Sequence, residues 1–451
     1  MDKFSRRIPG LLLAGPHSGC GKTTVTLGLM AAFAQRGMKV QPFKAGPDFI
    51  DPTLHCLVTG RISHNLDPWM CGEVFVRGCF SRHGASADVS VVEGVMGLFD
   101  GGEGSAAHLA KVLGLPVILV VDARSMAESA AAVVMGFETL DPAVRLAGVI
   151  LNRVGSERHL GMIENAIAAH CRAEVVGFLP REASFAIPER HLGLHMGDEA
   201  PISNEALGHL AEVVARHIDL DRLLALAATA EPHPVPASRN EQTGPRVRIG
   251  IARDQAFCFY YEENLALLAA AGAELVAFSP LADAALPDDL SGLYLGGGYP
   301  ELYAEELAAN QGLRRVVRAW SAAGRPLYAE CGGFMYLSEG IVDGDGQYHP
   351  MAGVFPVAAR MRQGRAALGY REATLAGDTL FGPAGTVLRG HEFHYSDIDP
   401  MPAAVGRCYR LADGREEGYL INGRTLGSYL HLHFGGTPEA AAHFVRLCRE
   451  Q

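Results

Sequence analysis

The sequence predicts an α/β protein of two domains, each built on an open, mostly parallel sheet, with one linker between them. Three observations carry this prediction. Short apolar runs alternate with helix-length amphipathic stretches from residue 9 to about 180. The same rhythm restarts at Val247. The segment between them, Glu231–Arg246 (EPHPVPASRNEQTGPR), holds four prolines and has no apolar face. The boundaries are therefore 1–230, a linker at 231–246, and 247–451, in keeping with 451 residues at roughly 150 per domain.

In the first domain the predicted strands are Gly10–Ala14, Val40–Lys44, Val89–Glu93, Val117–Asp122, Leu146–Asn152 and Val175–Leu179. Several are apolar throughout, as parallel strands covered on both faces must be. Predicted helices at Lys22–Gln35, Ser105–Leu113 and Ser125–Phe137 fall between them, which is the βαβ order of a parallel sheet. In the second domain the predicted strands are Val247–Ile251, Leu275–Phe278, Gly292–Leu295 and Leu327–Ala329. Predicted helices there are Tyr261–Ala271 and one near 305–322.

Composition narrows the function. Lys and Arg number 39 against 50 Asp and Glu, a net charge of −11 with no basic run. General capture of nucleic acid or of an anionic membrane is excluded on that balance. No stretch reaches the roughly 18 apolar residues of a membrane span, and the N-terminal apolar run is too short for a signal-peptide core. Nine cysteines without a CxxC pair indicate a reducing cytoplasm and mostly buried, structural thiols. Glycine is the unusual count: 53 residues, roughly 12% against a typical ~7%. No Gly-X-Y period accompanies them, so they belong at tight turns or where backbone approaches a ligand.

The first strand runs into Gly15-Pro16-His17-Ser18-Gly19-Cys20-Gly21-Lys22-Thr23-Thr24 and then a helix. That order cradles nucleotide phosphates: backbone N–H groups and the helix N-terminus face the anion, Lys22 reaches the β/γ-phosphates, and Thr23 ligates Mg²⁺. Counted from Gly15, the spacing is one residue longer than G-x-x-x-x-G-K-[ST]. Glu93 closes an apolar strand at the end where such enzymes place a metal ligand. Asp48 and Asp51 leave another strand end and can face the same crevice or form Asx turns beside Pro47 and Pro52. Asp100, in Gly97-Leu98-Phe99-Asp100, has the same two readings. Asn152-Arg153 is either a base reader or a turn. His55-Cys56 and Cys71/Cys79 lack metal-ligand spacing and are expected to be structural.

In the second domain, Leu327-Tyr328-Ala329 leads into Glu330-Cys331-Gly332-Gly333-Phe334, the pattern of a nucleophile elbow. A cysteine at a helix N-terminus is expected to favour thiolate. His431, in Gly427-Ser428-Tyr429-Leu430-His431-Leu432-His433, is the candidate base. Gly296-Gly297-Gly298, with the Gly332 N–H, is the candidate oxyanion site. Gly390-His391-Glu392-Phe393-His394 is not HExxH and is expected to be a loop near the active face.

Together GPHSGCGKTT, KAGPDFIDPTLH, NLDPWM, EGVMGLFDG, LGGGYPE, AECGGFMYL, GHEFHYS and SYLHLHF resemble the cobyrinic or hydrogenobyrinic acid a,c-diamide synthase family, glutamine amidotransferases of cobalamin biosynthesis. The resemblance runs from about residue 9 to about 437. It implies a P-loop synthetase domain similar to dethiobiotin synthetase and a C-terminal class I-like glutaminase domain. It further implies that Cys331 attacks the glutamine amide with His431 as base. Gly297, Gly298 and Gly332 would form the glutamine site. ATP, with Mg²⁺, would activate the a- and c-acetate carboxylates of a corrinoid as acyl phosphates, which ammonia displaces.

By position the resemblance places Gly15, Gly19, Gly21, Lys22, Thr23 and Thr24 on ATP. Thr23, Glu93 and Asp48 fall on the metal, and Asp48, Asp51 and Asp100 are acids of the synthetase site. The family group's His-x-Glu is His431-Leu432-His433 here, so a Cys-His dyad is expected rather than a triad. Implied partners are the corrinoid and L-glutamine, with neither nucleic acid nor membrane, and a homodimer is left open. Cobyric acid synthase and nickel-sirohydrochlorin a,c-diamide synthase remain alternatives. A P-loop switch ATPase is the alternative of a different class, and His17, where such proteins carry a signature lysine, argues against it.

Overall fold

The computed structural model describes residues 5–181, 202–228, 232–234, 246–364 and 366–450. The chain divides into two compact units, Met1–Ala237 and Ser238–Gln451.

The first unit holds a seven-stranded sheet. Across it lie His64–Leu66, Val40–Ala45, Val89–Glu93, Gly10–Ala14, Val117–Asp122, Leu146–Val154 and Glu174–Pro180, all parallel. Gly10–Ala14, Val89–Glu93 and Val117–Asp122 are buried at every residue, which is why their sequences do not alternate. The chain leaves Gly10–Ala14 toward one edge, returns to Val89–Glu93, then crosses to Val117–Asp122. Their C-terminal ends therefore flank a topological switch point, where α/β sheets bind ligands.

The helix Lys22–Gln35 has the predicted bounds. Ala106–Leu113 is capped by Ser105, whose hydroxyl accepts the His108 N–H at 3.1 Å. The helix expected from Ser125 begins at Ser129 and runs to Leu140, because Ser125 has φ 61°, outside the helical region. The three-residue strand His64–Leu66 is too short to show a period. Of the expected linker, Pro232–Pro234 forms a short strand antiparallel to Ser5–Arg7. Arg246 is described, and the remainder of that segment lies outside the described residues.

The second unit is organised by a ten-stranded mixed sheet. Ala273–Phe278, Val247–Ala252, Gly292–Leu295, Leu327–Glu330 and Thr425–Ser428 pair in parallel. Glu416–Ile421, Gly406–Leu411, Ala367–Leu375, Val387–His394 and Leu430–Leu432 continue it antiparallel. Leu430–Leu432 follows Thr425–Ser428 with one residue between, so the antiparallel half curls back to the segment it started from. Phe334, Phe355, Trp320, Leu293 and Leu327 lie in its core. The single helix expected near 305–322 is two, Ala304–Ala309 and Gln311–Ala322. Asn310 breaks it at ψ 64°; its side chain accepts the Leu313 N–H and donates to the Pro280 and Asp283 carbonyls.

Candidate active sites

In the first unit the loop after Gly10–Ala14 is shaped by glycine. Gly19 and Gly21 have φ 81° and 95°, in the left-handed region that glycine enters freely. A Cβ at Gly21 would run into the Asn152 amide, and one at Gly15 into the Cys20 sulfur. Lys22 Nζ donates to the carbonyls of His17 (3.1 Å) and Met96 (2.6 Å), so the lysine folds over the loop. Burial lowers its pKa, and an incoming polyphosphate would reverse that penalty.

The loop after Glu93 packs on the phosphate loop. The Leu98 N–H donates to the Gly15 carbonyl at 2.9 Å. Asp100 accepts the Gly97 N–H at 3.0 Å, so it holds this loop's turn. Asp48 accepts the Ile50 N–H at 2.9 Å, an Asx turn at the start of the helix Ile50–Thr59.

Below the loop lies a buried polar cluster. Thr23 Oγ1 donates to Glu93 Oε1 at 2.7 Å. Lys44 Nζ pairs with Asp51 Oδ2 at 2.7 Å and Glu93 Oε1 at 3.2 Å. His55 Nε2 donates to Glu93 Oε2 at 2.8 Å. Burial opposes the charge on Lys44, but Asp51 and Glu93 outweigh it and raise its pKa. Asp51 is thus neutralised by Lys44 and does not present a free acid to the crevice. The Thr23 hydroxyl and Glu93 carboxylate form a hard-oxygen pair at the end of the phosphate loop, and such donors suit Mg²⁺ beside a polyphosphate. Asp48 joins this cluster through its charge, which adds to the pull of Asp51 and Glu93 on Lys44. Asn152 Nδ2 donates to the Cys20 carbonyl at 3.0 Å, and Arg153 bridges Gly19 O and Asp122; both brace the loop from Leu146–Val154, the second strand along the sheet.

In the second unit Cys331 stands between the strand Leu327–Glu330 and the helix Gly332–Leu337. Its φ is 42°, the strained turn of a nucleophile elbow. A Cβ at Gly332 would come within 2.9 Å of Pro300 and 3.0 Å of the Gly298 nitrogen, so the sharp turn needs glycine there. Burial pushes the Cys331 thiol well up, Glu301, Glu330 and Glu392 add to this, and the Gly332 N–H works against it. The expected thiolate is therefore not the resting form. A helix of six residues offers less than the desolvation removes.

His431 sits on Leu430–Leu432, directly opposite His391 in the strand register. The two rings stack at 4.9 Å and 17°, and Phe259 packs on the other contact at 4.3 Å. Burial holds the His431 imidazole well below its ordinary pKa, with His391 and His394 adding to it. It is neutral, the form a base requires. A Cβ at Gly297 would strike the His431 ring. The same glycine run thus touches His431 through Gly297 and the elbow through Gly298.

The three glycines divide their parts. Gly297 donates its N–H to the Phe259 carbonyl at 3.1 Å. It is therefore not an oxyanion donor as expected, and its role is to leave room for His431. Gly298, at φ 153°, and Gly332 remain as the adjoining backbone donors. The segment Gly390–His394 is not the loop expected but belongs to the strand Val387–His394. It does border the active face, since the Phe393 carbonyl lies 3.9 Å from Cys331 Sγ.

Comparison with known proteins places both halves. Residues 11–194 match the CobQ/CobB/MinD/ParA nucleotide binding domain, and residues 248–439 match the CobB/CobQ-like glutamine amidotransferase domain. A cobyrinate a,c-diamide synthase of Syntrophotalea carbinolica is 49% identical, covering 98% of this chain and 99% of that one. Namesakes from Dehalococcoides mccartyi and Salmonella typhimurium are 44% and 43% identical, covering 98% and 99% of this chain and 99% of each relative. The chain belongs to the cobyrinate a,c-diamide synthase family. As a member of that family it joins a nucleotide-binding α/β domain to a glutamine amidotransferase domain. No helix among the described residues is long and apolar enough to cross a membrane.

Sequence reasoning passed over three residues of these sites. Lys44 lies inside a motif quoted for its acids, yet it is the cation that those acids surround. His391 lies in the segment that the sequence reads as a loop. Glu330 immediately precedes the nucleophile at a buried strand end, and an acid in that position was the available signal.

Proposed function

We propose that this chain is a glutamine-dependent ligase that amidates the a- and c-acetate carboxylates of cobyrinic or hydrogenobyrinic acid, using ATP, in cobalamin biosynthesis. The observation that carries the reading is the pairing of two sites in one chain. One is a phosphate loop with Thr23 on Glu93, and the other is a strained cysteine and a buried neutral histidine that pack on the same glycine run. Full-length likeness to cobyrinate a,c-diamide synthases supports the substrate.

At the amidotransferase domain, Cys331 Sγ attacks the glutamine side-chain carbonyl as His431 takes the thiol proton. The oxyanion is received by the Gly298 and Gly332 N–H groups. Collapse expels ammonia, with His431 returning the proton to the leaving nitrogen. Water then hydrolyses the thioester to glutamate. At the nucleotide domain a substrate carboxylate attacks the γ-phosphorus of ATP and ADP leaves. Ammonia displaces inorganic phosphate from the acyl phosphate, and the cycle runs once for each carboxylate. Gly19, Gly21, Lys22, Thr23 and Thr24 hold the phosphates. Thr23 and Glu93 would hold Mg²⁺, which supplies charge neutralisation at the transferring phosphate. A carboxylate is a poor electrophile and ammonia is mostly ammonium at neutral pH; the two half-reactions answer these two problems.

The test separates the halves. Cys331→Ser is expected to lose glutamine-dependent synthesis and keep ATP-dependent synthesis with an ammonium salt. Lys22→Ala is expected to lose both. Glutamine-dependent turnover by Cys331→Ser at the wild-type rate would overturn the amidotransferase reading. Mass spectrometry of products from cobalt-containing, cobalt-free and nickel macrocycles reads the substrate, and four new amides instead of two would overturn the a,c-diamide assignment.

A further inference from the structure

We infer that Glu330 is the positioning residue for His431, supplying from the residue before the nucleophile the carboxylate that the position after Leu432 lacks. The inference rests on the reading of Cys331 and His431 as the glutaminase pair. His431 Nδ1 is buried and has no hydrogen-bond partner, although buried polar groups are almost always paired. The carboxylate nearest to it is Glu330, with Oε2 at 3.9 Å. Both side chains are within 4% of full burial, so the contact is removed from bulk solvent.

Glu330 is fixed from three sides. Its Oε1 accepts the Tyr328 hydroxyl at 2.5 Å and the Leu432 N–H at 3.1 Å. Its Oε2 accepts the Tyr294 hydroxyl at 3.0 Å. The Leu432 N–H belongs to the residue after His431, so the carboxylate is tied to the histidine's own strand. Oε2 accepts one bond and retains capacity for another. To act as base, His431 must keep Nε2 unprotonated, which places the neutral proton on Nδ1, the atom facing Glu330. Glu330 thereby selects the tautomer, as the buried acid of a serine triad does.

When Cys331 gives its proton to Nε2, the electron pair stays on sulfur and the imidazolium Nδ1–H gains a carboxylate partner. A movement of about 1 Å brings the 3.9 Å separation to charge-assisted hydrogen-bond length. The surroundings hold Glu330 in reserve. It faces Tyr260, Tyr294, Tyr328, Tyr409 and the Cys331 thiol, and burial pushes its carboxyl up to about 7. His431 for its part faces His391, His394 and Glu330.

Glu330→Gln tests this in the full chain. The expected result is a fall in glutamine-dependent kcat of roughly tenfold or more. The KM for glutamine should stay within about twofold and ammonium-dependent synthesis should be unchanged. The pH profile of Cys331 alkylation by iodoacetamide should lose its limb near 7. Glu330→Asp should recover part of the rate. A Glu330→Gln protein with wild-type kcat and alkylation profile would overturn the inference. If Glu330→Gln lacks ammonium-dependent synthesis because it does not fold, ¹⁵N NMR of the wild-type His431 decides: the Nδ1–H tautomer supports the inference and the Nε2–H tautomer overturns it. Failure of the underlying reading is separate, since it shows as glutamine-dependent turnover in Cys331→Ser.

Discussion

Thr23 Oγ1 donates a 2.7 Å hydrogen bond to Glu93 Oε1, joining the first turn of the helix Lys22–Gln35 to the end of the neighbouring strand Val89–Glu93. Because Glu93 also accepts from Lys44 and His55, its carboxylate cannot swing away from the phosphate loop. The sheet topology brings these residues together, and the burial around them gives each polar contact weight.

Thr23→Val tests this contact with little change of shape. Losing one hydrogen bond costs about 1 kcal/mol, so the protein is expected to fold. ATP-dependent synthesis is expected to fall by roughly a hundredfold or more with either glutamine or ammonium, while Cys331 alkylation stays at the wild-type rate. Wild-type synthesis by Thr23→Val would remove Thr23 from the nucleotide site.

Lys44→Met tests the cation beneath the loop. Its side chain is 3% exposed and pairs with Asp51 and Glu93, themselves 1–2% exposed. Removing one partner of a buried ion cluster leaves uncompensated charge and costs about 3–5 kcal/mol. Thermal denaturation should show that loss in Lys44→Met. The double variant Lys44→Met/Asp51→Asn should recover part of it, because one of the two stranded charges is then gone. Additive losses in the double variant would mean that the two residues act independently.

The parts of this architecture that the sequence makes legible are those with a local signature. Gly10–Ala14 and Val117–Asp122 are apolar at nearly every position because both faces are covered, and Lys22–Gln35 starts where the glycines end. The antiparallel half of the second sheet is not legible in the same way. Val387–His394 is half polar and Leu430–Leu432 is only three residues long, and their pairing joins residues some forty positions apart in sequence. Register is a property of that long-range pairing, so the stacking of His391 on His431 had no local trace. Cys331 and His431 are readable as residue types in suitable turns. Their electrostatics are not, because desolvation depends on neighbours that only the fold assembles, and it reverses the thiolate expectation.

Stability against pH follows from two opposed sets of buried groups in the second unit. His391 and His433 are held down to about 3 and about 4 by burial, and His431 is also lowered. Their contribution is complete above the unfolded value of about 6.5 and is lost as pH falls toward the folded values. Glu301, Glu330 and Glu417 are pushed up to about 7 by burial. Their contribution is complete below about 4.5 and is lost as pH rises toward 7. Three groups of each kind, at about 1.4 kcal/mol per pH unit each, nearly cancel between pH about 4.5 and 6.5. Below about 4.5 the histidines and Glu392, held near 2, still change and all four lose stability on acidification, joined more weakly by the partly or fully exposed Asp343, Asp399 and Asp413, which their partners also hold down. Urea midpoints of the full chain should therefore be nearly flat from pH 6.5 to 4.5 and fall steeply below. A steady decline starting at 6.5 would mean that the buried acids are ionised throughout.

Gly297→Ala asks whether His431 is held where the glutaminase needs it. The backbone at Gly297 is not in the left-handed region, so alanine brings no conformational strain of its own. The added methyl would meet the His431 ring and, at 3.1 Å, Phe259. Overpacking of this kind costs about 1–3 kcal/mol, which a chain of this size can bear. The imidazole is the element that must yield, since His391 and Phe259 fill its other sides. Glutamine-dependent kcat is expected to fall by roughly a hundredfold or more, with ammonium-dependent synthesis unchanged. Gly298→Ala is the contrasting variant: its methyl would strike the Ala256 carbonyl, and φ 153° excludes a side chain. It is expected to lower the melting temperature more than Gly297→Ala does. A Gly297→Ala protein with wild-type glutamine turnover would show that the imidazole can act from another position, and the geometry assigned to the pair would have to be abandoned.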